Sequence, residues 1–248
     1  MTERHWQGEV WLARDHALFA GVNGDTREHA HYAHQLLLAE TPLRVRVAGQ
    51  VLEARRLLVP SLQAHRVDAS QPLLALYAEP LAFDSDDLRQ LLEDAPGEPE
   101  ALLGRLARLP RRRLDRRVEK ALAALDEQLA ARVEAERLAR SASLSLSQLE
   151  RLFAVQVGLS VRRLVLWRRL YLAFALALQG RSLTEAAHHA ASPTPRTCRA
   201  AYAACSVSAP ACRCRTYAWP AERPNPSGGC GTCLLRGRSR NGASNWPA

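Results

Sequence analysis

From Val10 to about Phe83 the apolar positions come in short runs broken by turn residues. Val10-Trp11-Leu12-Ala13, Ala17-Leu18-Phe19-Ala20, Gln35-Leu36-Leu37-Leu38, Val45-Arg46-Val47, Arg56-Leu57-Leu58-Val59 and Leu73-Leu74-Ala75-Leu76-Tyr77 alternate with Gly21-Val22-Asn23-Gly24-Asp25, Thr41-Pro42, Gly49-Gln50 and Pro60-Ser61. Runs of this length, with Val45 and Val47 alternating about a polar residue, suit half-buried strands, and their spacing suits a small β-barrel or sandwich. After Phe83 the period lengthens. Asp84 or Ser85 can cap a helix through Leu88, Leu91 and Leu92; Pro96-Gly97-Glu98-Pro99 breaks it; Ala101-Leu102-Leu103, Leu106 and Leu109 start another that ends at Pro110. Two such helices form a dimerisation surface or a hinge, or simply pack on the strands.

A third pattern follows Arg111-Arg112-Arg113. Leu114, Val118, Leu122 and Leu125 are spaced by four, four and three, the apolar stripe of an amphipathic helix. A short helix over about Val133 to Arg140 turns Leu138 and Ala139 inward. Ser143-Leu144-Ser145 makes a turn, and Ser145 with Gln148 three residues on is a capping box for the next helix. That helix buries Leu149, Leu152 and Phe153, while Ser147, Glu150 and Arg151 project together from its other face. Gly158-Leu159-Ser160 closes it. A long helix from Val161 to Gln179 carries Leu164, Trp167, Leu170, Phe174 and Leu178 as its stripe, Gly180 ends it, and Ser182 to Glu185 forms a second capping box.

Two short helices around a tight turn, the second presenting polar side chains, suit a helix-turn-helix lying in the major groove of double-stranded DNA. Arg151 is placed for a bidentate contact to guanine, Glu150 to accept from cytosine, and Ser147 to reach a base or phosphate; Ser145 and Gln148 complete the candidate DNA-binding set. Val133 to Ala190 thus holds one and a half such units joined by a long helix.

Charge divides the chain in the same way. Residues 1–104 carry 9 basic and 16 acidic side chains, net −7, whereas residues 105–190 carry 17 and 8, net +9. A polyanion partner is therefore expected for the second part alone. No apolar run approaches the roughly 18 residues of a membrane span, and the N-terminus lacks the apolar core of a secretory signal, so the expectation is a cytoplasmic chain with no membrane partner.

The succession Leu138-Ala139, Leu144-Ser145, Leu149, Phe153, Gly158-Leu159-Ser160, Arg169-Leu170 and Gly180-Arg181-Ser182-Leu183-Thr184-Glu185-Ala186-Ala187 strongly resembles the AraC/XylS family of bacterial transcription regulators. The resemblance covers about residues 114–190. It implies an all-helical domain of two helix-turn-helix units joined by a linker helix, reading successive major-groove segments and acting on transcription, with RNA polymerase and a second copy of the chain as protein partners. It also implies an N-terminal cupin-like domain that binds a small-molecule effector or dimerises. Val161 departs from the family, which often has proline after the Gly-Leu-Ser turn.

His29, His31 and His34 fall in one run, and His65 follows the Pro60 turn. His29 and His31 stand at strand spacing and can face one side, with His65 joining them. This resembles the cupin barrel, where a His-x-His before a hairpin and a later His line the pocket; metal-binding members usually add a Glu soon after, and here the nearest acid is Glu40. His29, His31 and His65 are accordingly read as lining an effector pocket, with no metal and no cofactor expected. The other reading is a cupin-type metal-dependent enzyme using the same three residues. No nucleophile-base pair, Gly-rich phosphate loop or carboxylate dyad suggests other chemistry, so a non-enzyme is expected.

Beyond Ala190 the family pattern stops. The family continues with Gly-Phe-x-Asp, a second recognition helix and Phe-Gly-x-Ser-Pro, but here stand Ala191-Ser192-Pro193-Thr194-Pro195, a stretch whose prolines cannot sit inside a recognition helix. Codons exist for residues 191–210 that, with one G restored before them, read Gly-Phe-Ala-Asp-Ala-Ala-His-Leu-Ser-Arg-Gly-Leu-Arg-Arg-Met-Phe-Gly-Val-Ser-Pro. That is the missing half of the pattern. A one-base deletion at the codon for residue 191 is therefore expected, with the rest translated out of frame and DNA binding impaired. All six cysteines, Cys198, Cys205, Cys212, Cys214, Cys230 and Cys233, fall in this part, without the paired spacing of a zinc site. Residues 191–248 also hold 8 basic side chains against one acidic, net +7, and are expected to be largely disordered.

The sequence as a whole is read as an α+β multidomain chain. Residues 1–83 form a cupin-like β-barrel, 84–110 a helical connector, 111–190 an all-α helix-turn-helix domain with an incomplete second unit, and 191–248 a tail.

Overall fold

A computed structural model describes residues 7–23, 26–68, 71–129, 131–190 and 212–216. The chain is α+β: strands occupy its first part and helices follow. The strands are β1 (Gln7–Leu12), β2 (His16–Val22), β3 (His34–Val47), β4 (Gln50–Val59), β5 (His65–Val67) and β6 (Pro72–Ala78). They pair antiparallel in the order β4-β3-β6-β2-β1, and β5 pairs with the second half of β3. One edge of β3 therefore serves β6 at His34–Leu38 and β5 at Val45–Val47, while its other edge follows β4 throughout.

Both faces of this sheet are covered, which explains its unbroken apolar runs. Leu18, Leu36, Leu38, Leu74 and Leu76 face one side, against Phe83 and the helices α1 (Ser85–Glu93) and α2 (Pro99–Leu106). Phe19, Leu37, Val45, Leu73 and Ala75 face the other. The two helices after Phe83 thus pack on the sheet, and Pro99 opens α2 at its first turn, where a missing N–H costs nothing.

Thr41-Pro42 reads in sequence as punctuation but lies inside β3. The pairing with β4 shifts register between Leu38 and Leu43, and such an irregularity accommodates a proline that cannot donate to the ladder. The turn that does end β3 is Ala48-Gly49, both at positive φ (50° and 81°), the two-residue geometry whose twist matches a hairpin.

The helical part comprises α3 (Arg116–Gln128), α4 (Ala135–Ser141), α5 (Leu146–Leu152), α6 (Val161–Leu178) and α7 (Leu183–His189), with a π-helical widening over Phe153–Val157 between α5 and α6. Val118, Leu125, Leu138, Leu149, Phe153 and Leu164 form its core. Both capping boxes are present, Ser145 with Gln148 and Ser182 with Glu185. The expected stripe on α6 divides. Leu164 is buried among the helices, whereas Phe174 and Leu178 lie against the sheet, so α6 belongs to two cores at once.

Residues 191–211 and 217–248, with the site of the expected frame change and most of the tail, lie outside the described residues. Within that stretch Cys212–Thr216 forms β7, parallel to β1 from Gly8↔Cys212 to Leu12↔Thr216. The physical reason is that β1 offers a free edge of N–H and C=O groups for an extended segment to pair with. Among the described residues no helix is long and apolar enough to cross a membrane.

Candidate functional site: a polar helix face and a histidine pocket

The α4-turn-α5 unit is built from local signals. Leu138 and Ala139 anchor α4 inward, Ser143 takes the left-handed φ of 56° that turns the chain, and the Leu144 N–H donates to Ala139 O at 2.9 Å. The Ser145 hydroxyl then accepts from Gln148 N at 3.3 Å, and the Gln148 side chain accepts from Ser145 N at 2.9 Å. These bonds employ two of the five candidate DNA-binding residues as the cap itself. Ser147, Glu150 and Arg151 are exposed, with Leu149 fully buried between them. Glu150 also borders a cleft of about 770 Å³ between the start of α4 and the start of α6, which Arg132, Arg162 and Arg169 share. Arg169 is committed to the backbone, donating to Leu129 O and Ala131 O, while Arg132 and Arg162 are exposed.

The three histidines come together on the far side of the sheet from α1 and α2. They do so without the strand expected for His29 and His31. Residues 26–33 are a loop, in which His29 makes an isolated bridge to β5 through His29 N–H to His65 O at 3.0 Å and the reverse bond at 2.9 Å. Ring centroids stand 4.5 Å apart for His29 and His65, 5.0 Å for His31 and His65, and 5.6 Å for His29 and His31. One ring nitrogen from each lies within 4.8 Å of the others. His34, in the same run, turns elsewhere and accepts from Ser61 N–H at 3.1 Å.

Burial sets the electrostatics here. Desolvation, helped by the neighbouring His65 and His29, pushes the His31 imidazole down to about 3, and burial also lowers His65. Both rings are therefore neutral near pH 7 and offer lone pairs. Glu40, the first acid after His31 in sequence, has its carboxylate beside Gly97.

Sequence reasoning misses the residues joining this pocket to the helices. Tyr77 stacks edge-on to His31 at 5.3 Å, accepts from Gln35 at 3.0 Å, and packs with Tyr171, Phe174 and Leu178 of α6. Tyr32, next to His31, is buried in the helical core, donates to Val157 O at 2.6 Å, and meets Trp167 edge-on at 6.0 Å. A tyrosine beside a histidine has no periodicity to betray it, so nothing in the sequence marks either contact.

No protein-family model and no curated protein matches the chain. Among solved structures, ToxT from Vibrio cholerae is similar at 9% identity, over 81% of this chain and 94% of that one, with a TM-score of 0.46. An RmlC-like cupin from Shewanella frigidimarina is similar at 17% identity, over 32% of this chain and 88% of that one, with a TM-score of 0.22.

Proposed function

We propose that this chain is a transcription regulator of the AraC type that binds double-stranded DNA sequence-specifically through α5 and responds to an effector held by His29, His31 and His65. The observation that carries the reading is the α4-turn-α5 unit, whose second helix buries Leu149 and leaves Ser147, Glu150 and Arg151 exposed on one face. A short helix fixed by its cap and presenting such residues fits the major groove, where Arg151 reads guanine and Glu150 reads cytosine. Arg132 and Arg162, beside Glu150, supply charge for flanking phosphates. Ser145 and Gln148 act by holding the first turn of the reading helix. RNA polymerase and a second copy of the chain are the protein partners this reading implies, and its place of action is the cytoplasm.

The second reading unit is lost in this proposal. α7 with its capping box supplies the scaffold helix, and a one-base deletion at codon 191 replaces its recognition partner. The test is a salt-titrated DNA-binding assay of this chain beside a version with the frame restored. Restoration should raise affinity and steepen the dependence of affinity on salt, because a second helix adds phosphate and base contacts. Equal binding by the two chains would mean that the second unit contributes nothing or that the family reading is wrong, codons across residues 185–195 that cannot encode the restored peptide would sink the frame change, and the absence of DNA binding by either chain would sink the regulator reading.

A further inference from the structure

The histidine pocket is organised ring by ring. His29 Nδ1 bonds Arg27 O at 2.8 Å, His31 Nδ1 bonds Ala33 O at 2.9 Å, and His65 Nδ1 bonds Gln63 O at 2.9 Å. A carbonyl only accepts, so Nδ1 carries the proton in each neutral ring and the Nε2 lone pair is left open. Three rings anchored in the same way, each to a carbonyl two residues distant, have their lone pairs fixed before any ligand arrives. This is the outer-shell arrangement that orients imidazoles toward a metal.

A further observation points to a cation. His65 is 1% exposed, and its Nε2 has no hydrogen-bond partner among the described residues. A buried acceptor left so is costly unless something electropositive meets it. Three imidazole nitrogens suit zinc, cobalt or nickel, whereas calcium and magnesium take oxygen. Metal–nitrogen bonds of about 2.0–2.1 Å would draw the rings in by roughly an ångström, within the range of side-chain rotation.

We infer that His29, His31 and His65 together bind one divalent transition cation of the zinc class, and that this cation is the effector of the regulator proposed above, on which reading the second half of the inference rests. The sequence leaves a metal at these three residues as the second reading, and the converging nitrogens with the unpartnered His65 Nε2 favour it. The route to DNA is short. The loop that carries His29 and His31 also carries Tyr32, which is bonded to Val157 where the reading helix ends, and His31 stacks on Tyr77 against α6.

The experiment uses the full-length chain with its six cysteines replaced by serine, so that thiolates do not compete. It is titrated with cobalt(II), followed by visible absorption, and with zinc by calorimetry. One equivalent should bind and raise the melting temperature by mass action. His29 is the most accessible ligand, so His29→Gln should fold, as circular dichroism will verify. It should weaken binding by about a hundredfold or more, at or above the roughly 10–100-fold that loss of an outer-shell partner costs. Equal binding by the parent and His29→Gln, or no binding by the parent, overturns the metal site. DNA affinity should then differ between metal-loaded and chelator-treated protein by about 5–150-fold. DNA binding indifferent to metal overturns the effector role and leaves the DNA reading standing; metal binding without DNA binding in either state upholds the site and overturns the regulator reading.

Discussion

Glu79 and Arg168 are buried together where the sheet meets α6, with Glu79 Oε1 3.2 Å from Arg168 Nη2. Burial outweighs the guanidinium and pushes the Glu79 carboxyl up from 4.5 to about 7. The unfolded chain then ionises at lower pH than the native one. This residue's stabilising contribution is fully present below pH 4.5 and is lost as pH rises through about 7. A shift of that size is worth about 3 kcal/mol between the two limits, and the neutral His31 and His65 act in the opposite sense, so thermal melts should show the parent losing stability relative to Glu79→Gln as pH rises across this window. A slope unchanged in the variant would assign it to another group. On the face proposed to bind DNA the prediction is simpler. Arg151→Ala should cost about 1–3 kcal/mol of DNA affinity and relax preference at one base position, measured against a panel of single-base variants of a bound sequence.

At the scale of elements, glycines separate steric cost from conformational cost. A Cβ on Gly8 would stand 2.2 Å from the Ala20 carbonyl oxygen across the β1–β2 pair, so the hairpin must open to admit it. A Cβ on Gly158 meets nothing within 4 Å, but φ there is 75°. Gly158→Ala should therefore cost about 1–2 kcal/mol from the left-handed backbone alone, and Gly8→Ala more, compared by denaturant titration. This contrast also explains what is legible in the chain. Capping boxes at Ser145 and Ser182 can be read because both partners lie three residues apart, and the strand runs can be read because burial on both faces makes them solidly apolar. The π widening at Phe153–Val157, the passage of β3 through Pro42 and the burial of Arg168 cannot be read, because each is decided by a partner distant in sequence. The histidine pocket lies between these cases. The grouping of His29, His31 and His65 is visible in their spacing, but the three carbonyl anchors exist only once the loop is folded.

Across the whole molecule α6 is the member shared by the sheet and the helical core around α4 and α5. Tyr171 donates to Ala13 O and to His16 O at 2.9 Å, Arg14 meets Asp126 at 2.9 Å, and Phe174 lies on the sheet. Tyr171→Phe removes the hydroxyl while keeping the ring, leaving two carbonyls of the β1–β2 turn without it. It should cost about 1 kcal/mol and raise hydrogen exchange in that turn ahead of the helical core. Equal exchange in both places would mean that the sheet and helices open together.

The pairing of β7 with β1 bears on colloidal behaviour. Main-chain ladders are indifferent to the side chains hung on them, so Cys212–Thr216 can close the β1 edge whatever reading frame produced it. Altering the chain beyond Ala190, by truncation or repair, therefore changes the guard on that edge, and a bare edge is where chains begin to associate into larger particles.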